Sequence, residues 1–356
     1  MNLAKSISRV IDDMGRSYKR RKLKGVINYF LYLISAIFRL SFCLAQPIRL
    51  EVTIAEGICN FSCKTCFPAP RDHKNKREIS FKRFKEIFDS CEYAHRLVLC
   101  AWGEPFMVRD IFSMLDYAKT QNCEVGIVTN MSLVNEEISK KLIRSRLDNL
   151  FISFDAAEPE LFEKIREGSE FKAVVNNIKI LNRLKREHRS QNPKLSFVVT
   201  AMRENMGEIS EIIGLAHQLG VGQVTLNPLK VRGGGLAVER QSLTNFPEST
   251  RDMLTVAESR ANELGITFFC PDYRRHRNTC YLPWNTLYVS MDGTIPACYS
   301  YHAVLGNIFR DGVKEIWNNK DFGSVRSAVK KEKSICYWCE GVVNSRPLKE
   351  KESLRA

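Results

Sequence analysis

From residue 49 onward the chain alternates short apolar runs with stretches of helical period. Residues 49–55, 96–101, 125–129, 150–155, 195–201 and 220–227 read as strands, being short, apolar and bounded by polar or turn residues. The segments between them read as helices. In 81–90 the residues Phe81, Phe84, Ile87 and Phe88 fall on one stripe, with Ser80 placed as the N-cap. Further helices follow at 111–120, from the N-cap Asn135 to residue 146, and at 158–166, 171–188 and 205–219. Strand and helix alternating in this way predict parallel βαβ units and an α/β fold. Six units are too few for a closed eightfold barrel. In β/α barrels the reactive groups gather at the C-terminal ends of the strands.

The pattern changes on either side of this block. Residues 230–279 form a connecting region, with Gly233, Gly234 and Gly235 near its start, a helix at 246–264 and a short strand at 266–269. A Cys-rich module occupies 280–340 and a charged tail 341–356. At the front, residues 1–48 form a separate segment. Residues 1–24 hold eight Lys or Arg against Asp12 and Asp13, and 26–40 are mostly apolar. Asn28 and Arg39 interrupt that run, which falls short of the roughly 20 apolar residues a membrane span needs. The long charged stretch and the lack of a clear small-residue cleavage site argue against a secretion signal. Two readings stay open for this segment. One is an amphipathic helix lying on anionic lipid, a peripheral membrane contact through residues 1–45. The other is a helix packed on the core. The expected location is the cytoplasm, with or without attachment to the cytoplasmic face of a membrane. The net charge of +14 also suits nucleic acid, but no recognition motif accompanies it.

Chemistry enters with Cys59-Asn-Phe-Ser-Cys63-Lys-Thr-Cys66. Three thiolates so close together suit three irons of a cubane cluster and leave a fourth iron without a protein ligand. A structural zinc site wants four ligands, and disulfides do not fit a long, Lys-rich chain without a secretion signal. The spacing resembles the cluster motif of the radical S-adenosylmethionine (radical SAM) enzymes. That resemblance implies a (βα)6 partial TIM barrel over 49–229 and a 4Fe–4S cluster on Cys59, Cys63 and Cys66. S-adenosylmethionine would chelate the open iron through its amine and carboxylate. It also implies the reaction: one electron breaks a C–S bond of that cosubstrate, and the 5′-deoxyadenosyl radical so formed takes a hydrogen atom from substrate. A small flavodoxin- or ferredoxin-like protein is the implied electron donor.

Other positions acquire roles from the same resemblance. Gly103-Glu104-Pro105, after the second strand, resembles the glycine–glutamate motif that receives the methionyl ammonium. Glycine permits close backbone approach, and a carboxylate offers a charge-assisted hydrogen bond. Ser153 and Asp155, ending the fourth strand, are implied contacts of the ribose, and Asn130, ending the third, is a further cofactor contact. Phe61 and Phe67 flank the cluster cysteines as shields for the adenine. By their own chemistry Asp155 and Asn130 serve equally as helix caps, and Phe61 as a core residue. Thr200 and Asn227 are candidates for lining the cavity.

A second cysteine set comprises Cys280, Cys298, Cys336 and Cys339, with a hairpin expected over 286–296 around Asp292-Gly293. It resembles the Twitch module, a shortened relative of the SPASM module. The resemblance implies an auxiliary, fully ligated 4Fe–4S cluster that transfers electrons. Four thiolates also suit zinc. Of the remaining Cys43, Cys91, Cys100, Cys123 and Cys270, most read as buried small hydrophobes. Cys100 and Cys270 are candidates for returning a hydrogen atom to a substrate radical. Arg274-Arg275-His276-Arg277 reads as a solvated basic loop.

The function expected on these grounds is that of a radical SAM oxidoreductase. Its substrate is expected to be a small molecule, glycan or lipid-linked compound, because 48 leading residues do not hold a peptide-recognition domain. The alternatives are maturation of a ribosomally made peptide, epimerisation included, a zinc-stabilised binding protein, and a nucleic-acid-modifying enzyme.

Overall fold

The computed structural model describes residues 3–66, 76–229, 231, 236–270, 280–298 and 301–331. In chain order its strands are β1 (Arg49–Glu56), β2 (Arg77–Glu78), β3 (Arg96–Trp102), β4 (Glu124–Thr129), β5 (Asn149–Ser153), β6 (Lys194–Ala201), β7 (Gln223–Pro228), β8 (Thr267–Phe269), β9 (Thr286–Val289), β10 (Thr294–Cys298) and β11 (Tyr301–Asn307). All six predicted strands form and pair in sequence, β1-β3-β4-β5-β6-β7, each pair parallel. Two further parallel strands extend this partial barrel, β8 beside β7 and β9 beside β1. The two-residue β2 pairs antiparallel with the end of β1.

The helices between strands are α2 (Phe81–Ser90), α3 (Ile111–Thr120), α4 (Glu136–Arg144), α5 (Pro159–Ile165), α6 (Phe171–Glu187) and α7 (Ile209–Gln218), with α8 (Pro247–Leu264) between β7 and β8. The predicted caps are in place: Ser80 Oγ accepts from Arg83 N at 3.3 Å, and Asn135 Oδ1 from Ile138 N at 3.0 Å. Phe154 and Phe197 stack at 4.3 Å, and Phe162 and Phe171 close on Phe154 at 4.9 and 5.8 Å. Burying each such ring contributes about 1.5–3 kcal/mol. The cluster fastens α5 and α6 to β5 and β6, which fixes the C-terminal end of α5 beside the cysteine loop.

The expected hairpin over 286–296 is replaced by a different pairing. Its turn is present, with Gly293 at φ +86° and Asp292 Oδ1 accepting from Thr294 N at 3.0 Å. However, β9 joins the barrel alongside β1, while β10 pairs with β11. Every residue of β9 is buried, which suits an inner strand of a parallel sheet rather than a half-exposed hairpin arm. The short helices α9 (Leu282–Asn285), α10 (Ile308–Asp311) and α11 (Val313–Trp317) and the longer α12 (Lys320–Lys330) complete the C-terminal module. They clasp the segment before β1. Trp284 Nε1 donates to Leu40 O at 2.7 Å and Trp317 Nε1 to Ala45 O at 2.8 Å, while the buried Arg326 reaches Pro283 O and Ser41 O.

The front of the chain forms α1 (Leu3–Ile37), broken at Arg21 and Lys22. Its two arms fold back on each other so closely that a Cβ on Gly25 would lie 2.0 Å from Ser17 O. The first arm is fastened beneath the N-terminal ends of β3 and β4. Asp13 pairs with Arg96 at 2.6 Å, Arg16 with Glu124 at 2.6 Å, and Ser17 Oγ lies 3.1 Å from His95 Nδ1. Packing on the core, one of the two readings of this segment, is therefore met. Among the described residues no helix is long and apolar enough to cross a membrane.

Candidate active site

β1 runs straight into the Cys59–Cys66 loop, and the ends of two neighbouring elements grip that loop. On one side Gly57 N donates to Trp102 O at 2.8 Å and Glu104 N to Ile58 O at 2.7 Å. Gly103 sits so tightly that a Cβ would fall 2.1 Å from Ile58 O. On the other side Ser62 N donates to Glu167 O at 2.7 Å and Lys64 N to Ile165 O at 2.8 Å. Gly103→Ala is expected to cost about 1–3 kcal/mol by overpacking and to displace the cysteine loop. Thermal melting and iron content per chain check this. An unchanged melting point and full iron would mean that the Ile58 carbonyl yields freely.

The three cysteines are half-buried and close enough for each charge to oppose the others. Burial pushes the Cys59 thiol up to about 11, with Cys63, Glu104 and Cys66 adding to the rise. Burial also raises Cys63, and Arg166 pulls it partly back. Thiols such as Cys59 and Cys63 that resist ionisation suit a cationic group taking the place of their protons. Among the described residues no group of three His, Cys, Asp or Glu is placed to hold one metal ion. Three thiolates on one short loop suit three corners of an iron–sulfur cluster.

Glu104 is 1% exposed and spans the ends of β3 and β4. Its Oε1 accepts from Thr129 Oγ1 at 2.7 Å and Phe106 N at 3.2 Å, and its Oε2 from Asn130 N at 2.7 Å. Burial pushes it up to about 7 against these donors. Pro105, also buried, begins the short 3₁₀ turn Pro105–Met107 behind it. The Asn130 side chain donates to Asn60 Oδ1 at 3.0 Å and lies 4.0 Å from Cys59 Sγ, beside the cysteine loop.

Asp155 does not face the open site. It is fully buried, accepts from Thr200 N at 2.7 Å and pairs with Arg166 at 2.8 Å. Arg166 Nη1 continues to Cys63 Sγ at 3.9 Å. Burial opposes the Arg166 charge, but Asp155 and Cys63 outweigh it and hold the guanidinium above its ordinary range. Asp155 is thus tied to Thr200 and Arg166, and Arg166 is a charged residue beside the cysteine loop that the sequence pattern missed. Phe61 is 3% exposed and belongs to the core. Burial alternates along β5 and β6, leaving Ser153 and Thr200 on the less buried face, while Asn227 at the end of β7 is exposed.

Cys280 and Cys298 both lie near enough to Tyr288 to oppose its ionisation, which burial already disfavours. Cys336, Cys339, Phe67, the 274–277 basic run and the 233–235 glycines lie outside the described residues. Cys43, Cys91 and Cys123 are buried, as read from the sequence. Cys100 lines a small cavity of about 40 Å³ with Glu51, Thr53, Trp102, Tyr288 and Cys298, whereas Cys270 lies 4.0 Å from Glu258 on α8.

An open parallel β/α barrel with a cysteine triplet at its C-terminal mouth and a second cysteine module against β1 defines a class of iron–sulfur enzyme. The chain belongs to the radical SAM superfamily, whose model matches residues 56–216, and the SPASM model, described as an iron-sulfur cluster-binding domain, matches 280–340. Its cofactors are 4Fe–4S clusters and S-adenosylmethionine. It is 26% identical over 294 residues to the mycofactocin maturase MftC of Mycolicibacterium smegmatis, covering 78% of this chain and 72% of that one. It is 23% identical over 273 residues to the PqqA peptide cyclase of Gluconobacter oxydans, covering 73% and 74%. In fold it is similar to Streptococcus suis SuiB bound to its precursor peptide SuiA, with TM-score 0.66, 14% identity and coverage of 90% and 76%.

Proposed function

We propose that this radical SAM enzyme modifies a ribosomally made peptide. The observation that carries the reading is the similarity to a maturase, MftC, and to a peptide cyclase that acts on PqqA. Both alignments run well past the core match at 56–216 and cover about three-quarters of the chain. This reading displaces the small-molecule, glycan or lipid-linked substrate expected from the short front segment.

In this reading Cys59, Cys63 and Cys66 hold the reactive cluster, and Cys280, Cys298, Cys336 and Cys339 the auxiliary one. The bound cofactors supply hydrogen-atom abstraction through cleavage of S-adenosylmethionine, with electrons from a flavodoxin- or ferredoxin-like donor. The chain's residues supply placement. Gly103 lets the end of β3 touch the cysteine loop. Glu104 offers a buried carboxylate for the methionyl ammonium, since three donors leave one of its roughly four acceptor sites open. The Asp155–Arg166 pair sets the position of Cys63. Ser153 and Asn130 stand at the mouth for cosubstrate contacts.

Anaerobic co-expression with any short open reading frame found beside its gene tests the assignment. Mass spectrometry is expected to show the peptide altered, by loss of two hydrogens or by solvent deuterium at an inverted carbon. An unmodified peptide, alongside deoxyadenosine formed with a small-molecule substrate, would refute it.

A further inference from the structure

The second arm of α1 is amphipathic in the wrong sense for a core helix. Leu23, Ile27, Phe30, Ile34, Ile37 and Phe38 are 42–70% exposed. At 100° per residue they fall within a stripe of about 100°. The opposite, buried face carries Gly25, Asn28, Tyr29, Ser35 and Ala36. Those residues are spent on the protein's own backbone and neighbours. Asn28 exchanges two hydrogen bonds with the Gln46 backbone at 2.8 and 3.1 Å, Ser35 Oγ accepts from Leu44 N at 2.9 Å, and Tyr29 OH reaches Asp13 at 3.4 Å. The arm is therefore held in place by polar contacts while its apolar side faces outward. Phe42 and Leu44, 61% and 45% exposed, extend the apolar surface past the helix. Soluble proteins rarely leave so many large apolar side chains contiguous in water.

Charge selects the occupant. Residues 14–50 contain eight Lys or Arg and no Asp or Glu. Of these, Arg16 and Arg21 are bound to Glu124 and Glu92, while Lys19, Lys22 and Lys24 are exposed at the start of the arm. A second copy packed across a two-fold axis would bring the same net-basic surface against itself, since residues 14–50 carry no carboxylate to meet it. An anionic bilayer matches both features, because apolar side chains enter the acyl boundary while lysines meet the headgroups. We propose that the Leu23–Phe38 ridge is an in-plane anchor that docks this enzyme on anionic membranes. Both arms lie beneath the N-terminal ends of the strands, and the cysteine loop lies at the C-terminal ends. Docking therefore leaves the mouth of the barrel open to solution.

Flotation of the full-length holoprotein with neutral phosphatidylcholine vesicles, and with vesicles containing phosphatidylglycerol, tests the proposal. Binding is expected on the anionic vesicles only and to weaken with salt. Phe30→Ser/Ile34→Ser is expected to lower partitioning at least about tenfold, with iron content unchanged and only a small drop in melting point, since about half of each side chain already faces water. Lys19→Ala and Lys24→Ala are each expected to lower it about fivefold. Equal binding to neutral and anionic vesicles would overturn the proposal, as would no binding at all. Self-association abolished by Phe30→Ser/Ile34→Ser, without vesicle binding, would instead make the ridge a contact between copies. None of these readouts depends on the identity of the peptide substrate.

Discussion

Replacing Cys59, Cys63 and Cys66 together by alanine is expected to lower the iron of anaerobically reconstituted protein from about eight to about four per chain, one cubane of two. Formation of deoxyadenosine from S-adenosylmethionine under dithionite is expected to vanish. The three side chains are only half-buried and stand on a loop held by backbone hydrogen bonds to the carbonyls of Trp102, Glu167 and Ile165 and from Glu104 N. The fold should therefore survive, and the remaining iron should report the second set intact. Iron and sulfide analysis with absorption spectra gives the result. Unchanged iron would remove these cysteines from the cluster, and zinc in place of iron would return the chain to the metal-stabilised binding class.

Arg166→Met is the substitution with the largest expected effect on stability. It leaves the Asp155 carboxylate fully buried without its counter-ion, at a cost of about 3–5 kcal/mol. It also removes the positive charge beside Cys63, so the cluster is expected to load poorly and to sit at a lower potential. Arg166→Lys should recover only part of either loss, since a lysine cannot fork between a carboxylate and a sulfur. Adding Asp155→Asn to Arg166→Met is expected to restore most of the stability, because asparagine still accepts from Thr200 N, but not the cluster's potential. Melting curves and redox titration separate the two effects. A melting point unaffected by Arg166→Met would show that Asp155 does not depend on this partner.

The two readings of the front segment could not be separated in one dimension because each described one side of the same helix. Its apolar residues suggested the membrane reading, while Asn28, Ser35 and Asp13 suited packing on the core. A helical pattern shows that two faces differ, but which face turns inward depends on what lies beneath it. Here that is the backbone of 44–46 and the charged ends of β3 and β4. The misplaced hairpin has a similar origin. Asp292-Gly293 correctly marked a turn, but the partner of β9 was decided by the vacant edge of β1, more than 230 residues earlier in the chain.

Strand and helix periodicity, caps at Ser80 and Asn135, and the spacing of Cys59, Cys63 and Cys66 were legible because each is set by covalent neighbours within about two helical turns. The barrel class and the cluster chemistry followed from them. The carboxylate bridge from Glu104 to Thr129 and Asn130, and the guanidinium that Arg166 carries to Cys63 across 103 residues, arise only when parallel strands come into register. No local pattern encodes a contact whose partners are brought together solely by the pairing of the sheet.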